Sequence, residues 1–238
     1  MTQRAGVPFA TQRTPVLGLG DVLEPRSGYR FRPENLVVPD LVSFCPQPST
    51  VLDLGAGCGV LGLLAGVEPG GAPRASVEAI TLVERQPELA ALCRANAGLS
   101  HASVAVVEQD LRSADLPVAH FDLVLANPPF FAPEHGRPSS VETTRLGTHA
   151  HHGGVAEFCA RAAAALTPEG NFWLLYPSEA LADALLAIQA SGLVPRGIFV
   201  LRARHTGRPY RAWIRSTATP VDGPDGLDVR EGTTWTRR

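Results

Sequence analysis

Short apolar runs, each closed by a polar residue and a turn, alternate along this chain with stretches whose apolar residues keep helical spacing. Runs at 51–54, 79–84, 103–108, 121–126, 171–176, 194–201 and 210–216 read as strands. Residues 34–44, 87–97, 155–166 and 178–190 read as helices, and another helix opens at 60–65. Pro87 sits near a helix start and Ser178 is placed to cap one. Thr167-Pro168-Glu169-Gly170 reads as a stop between a helix and a strand. The order predicts an α/β fold: a mostly parallel seven-stranded sheet, helices on both faces, and an antiparallel closing hairpin. Residues 1–20 read as an irregular arm, with a small strand beginning at Asp21-Val22-Leu23-Glu24, and 21–217 as a single domain. Residues 218–238, rich in Asp, Gly, Thr and Arg, read as a flexible tail.

Two turns at strand ends carry the candidate chemistry. Val51-Leu52-Asp53-Leu54-Gly55-Ala56-Gly57-Cys58-Gly59 is a strand, an acid and a glycine-rich turn opening a helix. Glycines there let backbone approach a ligand, and the helix start supplies free N–H groups. The spacing is not the G-x-G-x-x-G of a dinucleotide site, because position 60 is Val60. Asp53 would repel a pyrophosphate but attract a cationic or amino-bearing ligand. Glu84, at the end of the next strand, can accept both hydroxyls of a ribose. Asp110, after the third strand, can accept a hydrogen bond from an adenine amine or stand as an exposed strand-end carboxylate.

The second turn is Asn127-Pro128-Pro129-Phe130, following the buried run 121–126. Asn offers an amide carbonyl, the prolines stiffen the turn and Phe offers a flat face. Together they suit a planar amino group that must be held and made nucleophilic.

Composition narrows the picture. The chain has 238 residues, 45% hydrophobic and 18% charged, which is ordinary for one globular domain. No apolar run approaches membrane-helix length and the N-terminus lacks a secretory core, so a cytoplasmic location without a membrane partner is expected. Cys45, Cys58, Cys93 and Cys159 show no C-x-x-C spacing and read as reduced, buried thiols. All 21 basic side chains are Arg, which excludes Schiff-base and Walker lysine chemistry. The net charge of −2 gives no global attraction for nucleic acid. The closing hairpin is locally basic: Arg202, Arg204, His205, Arg208, Arg211 and Arg215 stand with Tyr210 and Trp213. That interleaving suits phosphate contact and stacking, and equally a solvated hairpin with one aromatic turned inward. His135, His149, His151 and His152 lie in the polar stretch 131–153, which reads as a substrate-facing lid; no accompanying Cys or acid stands at zinc spacing, so no metal site is expected.

These motifs resemble the class I S-adenosylmethionine-dependent methyltransferases, with a Rossmann-like fold. Within them, the chain is similar to the tRNA(Val) adenine-N6 methyltransferase family over roughly 22–216. Gly28-Tyr29-Arg30-Phe31, the Asp53 to Gly59 turn and Asn127-Pro128-Pro129-Phe130-Phe131 carry the likeness. The resemblance implies S-adenosyl-L-methionine as cofactor, leaving as S-adenosyl-L-homocysteine. It implies cofactor contacts from Arg30, Phe31, Asp53, Gly55, Ala56, Gly57, Gly59, Glu84, Arg85, Asp110, Leu111 and Asn127. The target amine falls to Asn127, Pro128, Pro129 and Phe130. The implied substrate is the exocyclic N6 amine of an adenine in tRNA, with no obligatory protein partner; Arg202, Arg204, Arg208, Tyr210 and Arg211 of the basic hairpin are the candidate RNA contacts on their own composition. The Asn-Pro-Pro-aromatic signature also serves cytosine-N4, guanine-N2 and protein glutamine methyltransferases. An rRNA guanine, a DNA base, a glutamine amide and a non-catalytic cofactor-binding module are therefore the alternatives. The family usually carries Ser and Asp after Gly-Tyr-Arg-Phe, where this chain has Arg32, Pro33, Glu34 and Asn35.

Overall fold

Thr50–Leu54 (β3), Ala79–Val83 (β4), Ser103–Val107 (β5), Phe121–Ala126 (β6) and Leu166–Pro177 (β7) pair in parallel as the centre of one sheet. Val194–Arg202 (β8) and Pro209–Thr217 (β9) complete the expected seven, with β9 antiparallel to both β7 and β8. The computed structural model describes residues 10–28, 30–129, 154–219 and 228–232. Among these, an eighth strand, Asp228–Gly232 (β10), pairs in parallel with β8, giving the order β10-β8-β9-β7-β6-β3-β4-β5.

The sheet divides the core in two. Val38–Val42 (α1), Val60–Ala65 (α2) and Pro87–Ala97 (α3) pack on one face, bringing Leu41, Leu63 and Leu92 against Val51, Leu82 and Leu123. Val155–Ala165 (α4) and Leu181–Ala190 (α5) cover the other, where Phe158, Ala162 and Ile188 meet Leu52, Leu54 and Val124. With both faces covered, the central strands are apolar throughout rather than alternating. The chain leaves β3 for β4 and β5 on one side, then returns to β6 and β7 on the other. The strand order therefore reverses beside β3, and a crevice opens at the carboxyl ends of β3 and β6.

Several elements differ from the sequence reading. Part of the N-terminal arm forms Thr11–Val16 (β1), antiparallel to Gly20–Pro25 (β2). The inward positions of this hairpin include Thr14 and Glu24, which hydrogen-bond each other, so no apolar alternation marked it. The C-terminal stretch holds β10, whose Asp-Val-Arg-Glu-Gly sequence is too polar to register as a strand. The helix expected at 34–44 is a 3-10 turn, Pro33–Val37, followed by the single-turn α1 with Pro39 inside it. The stop at 167–170 is not a strand boundary: β7 begins at Leu166, and these residues form a bulge between the Phe121–Leu166 and Leu123–Asn171 pairs. Ser178 opens a 3-10 turn, Ser178–Ala180, without making a side-chain cap.

Candidate active site

Three loops meet at the carboxyl edge of the sheet. The glycine turn after β3 holds Gly55 at φ +75°, Gly57 at +60° and Gly59 at +86°, all in the left-handed region. At Gly55 a Cβ would also approach the Phe158 ring to 3.2 Å, so conformation and space both require glycine. The amides of Gly55 and Ala56 donate to the Val83 carbonyl at 2.9 Å, tying the turn to β4. Gly59 precedes α2, and Gly62 lets that helix lie against the sheet: a Cβ there would meet Leu82 Cδ2 at 2.6 Å and Asp53 Cβ at 3.0 Å.

Asp53 and Glu84 lie beneath and beside this turn. Asp53 is fully buried; its Oδ2 accepts the Gly62 amide at 2.8 Å, while Oδ1 has no hydrogen-bond partner. Burial pushes its carboxyl up to about 7; the Gly62 hydrogen bond only partly offsets this, and the nearby Glu84 charge adds to it. Glu84 Oε2 accepts the Gly57 amide at 2.9 Å and Oε1 the Gln86 amide at 2.8 Å. Burial pushes this carboxyl up to about 7 as well, against those amide hydrogen bonds. Two buried acids thus share one corner; Arg85 favours the ionised form of Glu84, and among the described residues no cation does so for Asp53. An orphaned oxygen on the fully buried Asp53 carboxyl fits a ligand that brings its own positive charge.

The cleft at this corner encloses about 600 Å³ of space counted out to open solvent. Of the residues singled out in the sequence, Gly55, Gly57, Glu84, Arg85, Asp110, Leu111, Asn127 and Pro129 line it. Ala56 is buried in the turn, Pro128 is buried beside Asn127, and Asp53 and Gly59 support the turn from behind. Arg30 and Phe31 do not line the cleft. Arg30 pairs with the buried Glu24 at 2.8 Å, and Phe31 packs in the core. Phe130, the lid at 131–153 and the histidine cluster lie outside the described residues.

Asp110 sits at the rim. Arg112 grips it through Nε at 2.9 Å and Nη2 at 2.7 Å, and Arg85 stands 3.8 Å away. The Arg112 hydrogen bond holds the Asp110 carboxyl down at about 2, so it is ionised and already engaged. Leu89, Gln86, Gln109 and Phe158 also line the cleft and were not singled out in the sequence. Gln86 and Gln109 sit within two residues of strand-end acids, which was a usable local signal, and Leu89 lies in the first turns of the helix that follows Glu84. Phe158 arrives from α4 by tertiary packing alone.

Asn127 extends from β6 into the mouth of the cleft. Its Nδ2 donates to Asn35 Oδ1 at 3.4 Å. In the hairpin, the turn between β8 and β9 lies on the same edge of the sheet, with Arg204 and Arg208 exposed. Trp213 is fully buried, its Nε1 donating to the Glu34 carbonyl at 3.1 Å, so it belongs to the core rather than to a stacking surface. Arg211 is half-buried, donates to the Tyr210 carbonyl at 2.9 Å and lies 5.9 Å from the Tyr210 ring centre.

Strand order, acid-glycine turn and Asn-Pro-Pro loop together define a class I S-adenosylmethionine-dependent methyltransferase. The chain belongs to the Methyltransferase small domain family, whose sequence model matches residues 36–189, more than half of its length. It is 29% identical over 181 residues to the tRNA1(Val) (adenine(37)-N6)-methyltransferase of Porphyromonas gingivalis, covering 74% of this chain and 67% of that protein. The protein of the same description from Tolumonas auensis is 28% identical over 142 residues, or 60% of this chain. Against that relative and its Shewanella counterpart, the match spans about half of the relative's length, 56% and 53%. Among solved structures, the M. jannaschii tRNA m1G37 methyltransferase superposes with a TM-score of 0.62 at 13% identity, over 90% of this chain and 58% of its own. A SAM-dependent methyltransferase from Agrobacterium tumefaciens gives 0.56 at 19% identity, over 88% and 70%. At these identities the structural likeness speaks for the fold.

Proposed function

We propose that this methyltransferase acts on the exocyclic N6 amine of an adenine in tRNA. The observation that carries the reading is that Asn127 and Pro129 line the same cleft as Gly55, Gly57 and Glu84. The names of the relatives from Porphyromonas and Tolumonas supply the substrate class.

When bound, S-adenosylmethionine supplies an electrophilic methyl group on a sulfonium. Asp53 and Glu84 place negative charge at the corner of the site where a cationic cofactor is held, and Glu84 is positioned to accept ribose hydroxyls. Gly55 and Gly57 keep side chains out of the space the nucleoside needs. An aromatic amine is a poor nucleophile because its lone pair is delocalised into the ring. The Asn127 side-chain carbonyl and the Pro128 backbone carbonyl accept its two N–H groups, favour a pyramidal nitrogen and aim the lone pair across the cleft. As the new N–C bond forms, the surplus proton leaves the nitrogen for water. No general base is required before transfer; alignment carries the rate. Phe130, next in the chain, offers the face on which an extruded base stacks.

The test is methyl transfer by Asn127→Ala. Its kcat falls roughly 100-fold or more, as for a displaced reacting group, with cofactor affinity unchanged. Undiminished methylation by this variant would remove Asn127 from the chemistry.

A further inference from the structure

The Asn127 amide is useful to the reaction in one orientation only. A side-chain amide has an acceptor end and a donor end, and a 180° rotation would present Nδ2 to an amine that is itself a donor. Something must choose between the two. Asn127 is joined to β6 on one side and to two prolines on the other, and the prolines supply no N–H to hold its Oδ1.

The selector lies 92 positions earlier in the chain. Asn127 Nδ2 donates to Asn35 Oδ1 at 3.4 Å. Asn35 is 3% exposed, so its side chain has little freedom. It sits in the 3-10 turn Pro33–Val37, whose backbone is pinned in two ways. Pro33 fixes φ in its first turn. The indole of the fully buried Trp213 donates to the carbonyl of Glu34, one residue away, at 3.1 Å. A core strand of the closing hairpin is thereby connected to the amide that faces the substrate.

We infer that Asn35 is a positioning residue that fixes the rotamer of the Asn127 amide, holding Oδ1 toward the substrate amine, with Trp213 anchoring the turn that carries it. This rests on the proposed role of Asn127 in methyl transfer. Asn35 is not among the residues lining the cleft and acts through Asn127. It requires an acceptor at position 35, which Asp provides and Leu does not.

The experiment compares Asn35→Leu, Asn35→Asp, Asn127→Ala and the double variant Asn35→Leu/Asn127→Ala. The probes are S-adenosylmethionine and unmodified tRNA from cells lacking this enzyme. Asn35→Leu lowers kcat 10- to 100-fold, leaving KM for the cofactor and the thermal midpoint near wild type. Asn35→Asp, which keeps the acceptor, restores most of the rate. In the Asn127→Ala background, Asn35→Leu costs nothing further, because the amide it orients is gone. Full kcat in Asn35→Leu, or equal loss in Asn35→Asp and Asn35→Leu, overturns the inference while leaving Asn127 in place. Full activity of Asn127→Ala would instead overturn the reading on which it rests. If Asn35→Leu does not fold, the Asp variant and its double with Asn127→Ala still decide the matter: loss of rate in the folded Asp single variant contradicts the acceptor role.

Discussion

At the scale of single residues, the site is organised around two buried acids, one of which, Asp53, keeps an unpartnered carboxylate oxygen. Asp53 and Glu84 both have carboxyls pushed up to about 7 by burial. A cationic cofactor favours their ionised forms, so binding near neutral pH must release protons. Cofactor affinity is therefore expected to strengthen as pH rises from 6 to 8 and to level off above. Calorimetry in two buffers of different ionisation enthalpy would measure the released protons; a pH-independent affinity with no proton release would contradict it. Glu84→Gln should weaken binding and flatten this dependence. The residues that carry chemistry were legible in the sequence where they sit at strand ends, as Asp53, Glu84 and Asn127 do. Their types and spacing are local facts. Asn35 and Phe158 were not legible, because the first is delivered by a turn 92 positions away from its partner and the second by a helix from the far side of the sheet. Arg30 and Phe31 belong to a motif that marked the family, yet their side chains serve the β1–β2 hairpin and the core.

At the scale of elements, the decisive contact is α2 against β3 and β4. The helix has only six residues and no side-chain cap, so its own propensity contributes little. It is held by packing and by the Gly62 amide that Asp53 accepts. Gly62→Ala should push α2 away from Leu82 and Asp53, destabilising the fold by about 1–3 kcal/mol, as overpacking does. Cofactor binding should weaken with it, because the same shift moves the glycine turn. Thermal unfolding and cofactor titration of the variant would check both; an unchanged midpoint would mean that the contact relaxes without cost. The apolar strands and the proline-started α3 were legible from pattern. The elements that were not are those whose residues are polar or whose bounds a turn-like stretch disguises. β1 buries Thr14 against Glu24, β10 reads Asp-Val-Arg-Glu-Gly with no apolar run, and the bulge at 167–170 looks like a terminus in the sequence but is absorbed within β7.

Across the whole molecule, the two buried acids also set how stability responds to pH. Their folded-state values near 7 stand above the roughly 4 of an unfolded chain. The stability they contribute is complete below about pH 4 and is lost as pH rises toward 7. The ligand-free protein should therefore gain thermal stability between pH 7.5 and 5.5 from these groups. Asp53→Asn and Glu84→Gln should each reduce that gain, and added cofactor should stabilise more at high pH. A wild-type pH slope retained in both variants would place its origin elsewhere. The same edge of the sheet presents the exposed Arg204 and Arg208, on a chain of net charge −2. Replacing both with Ala should weaken tRNA binding and reduce its salt slope by about 1–2. An unaltered slope would place the RNA on another surface. Among the described residues no helix is long and apolar enough to cross a membrane.

The most direct test of the central claim is the fate of the methyl group. The protein would be incubated with methyl-labelled S-adenosylmethionine and separate pools of unmodified tRNA, rRNA, DNA and protein, and the labelled pool digested for chromatography and mass analysis. The account predicts label in tRNA, recovered as N6-methyladenosine and dependent on Asn127. Label confined to protein, or recovered from RNA as N2-methylguanosine, would contradict it.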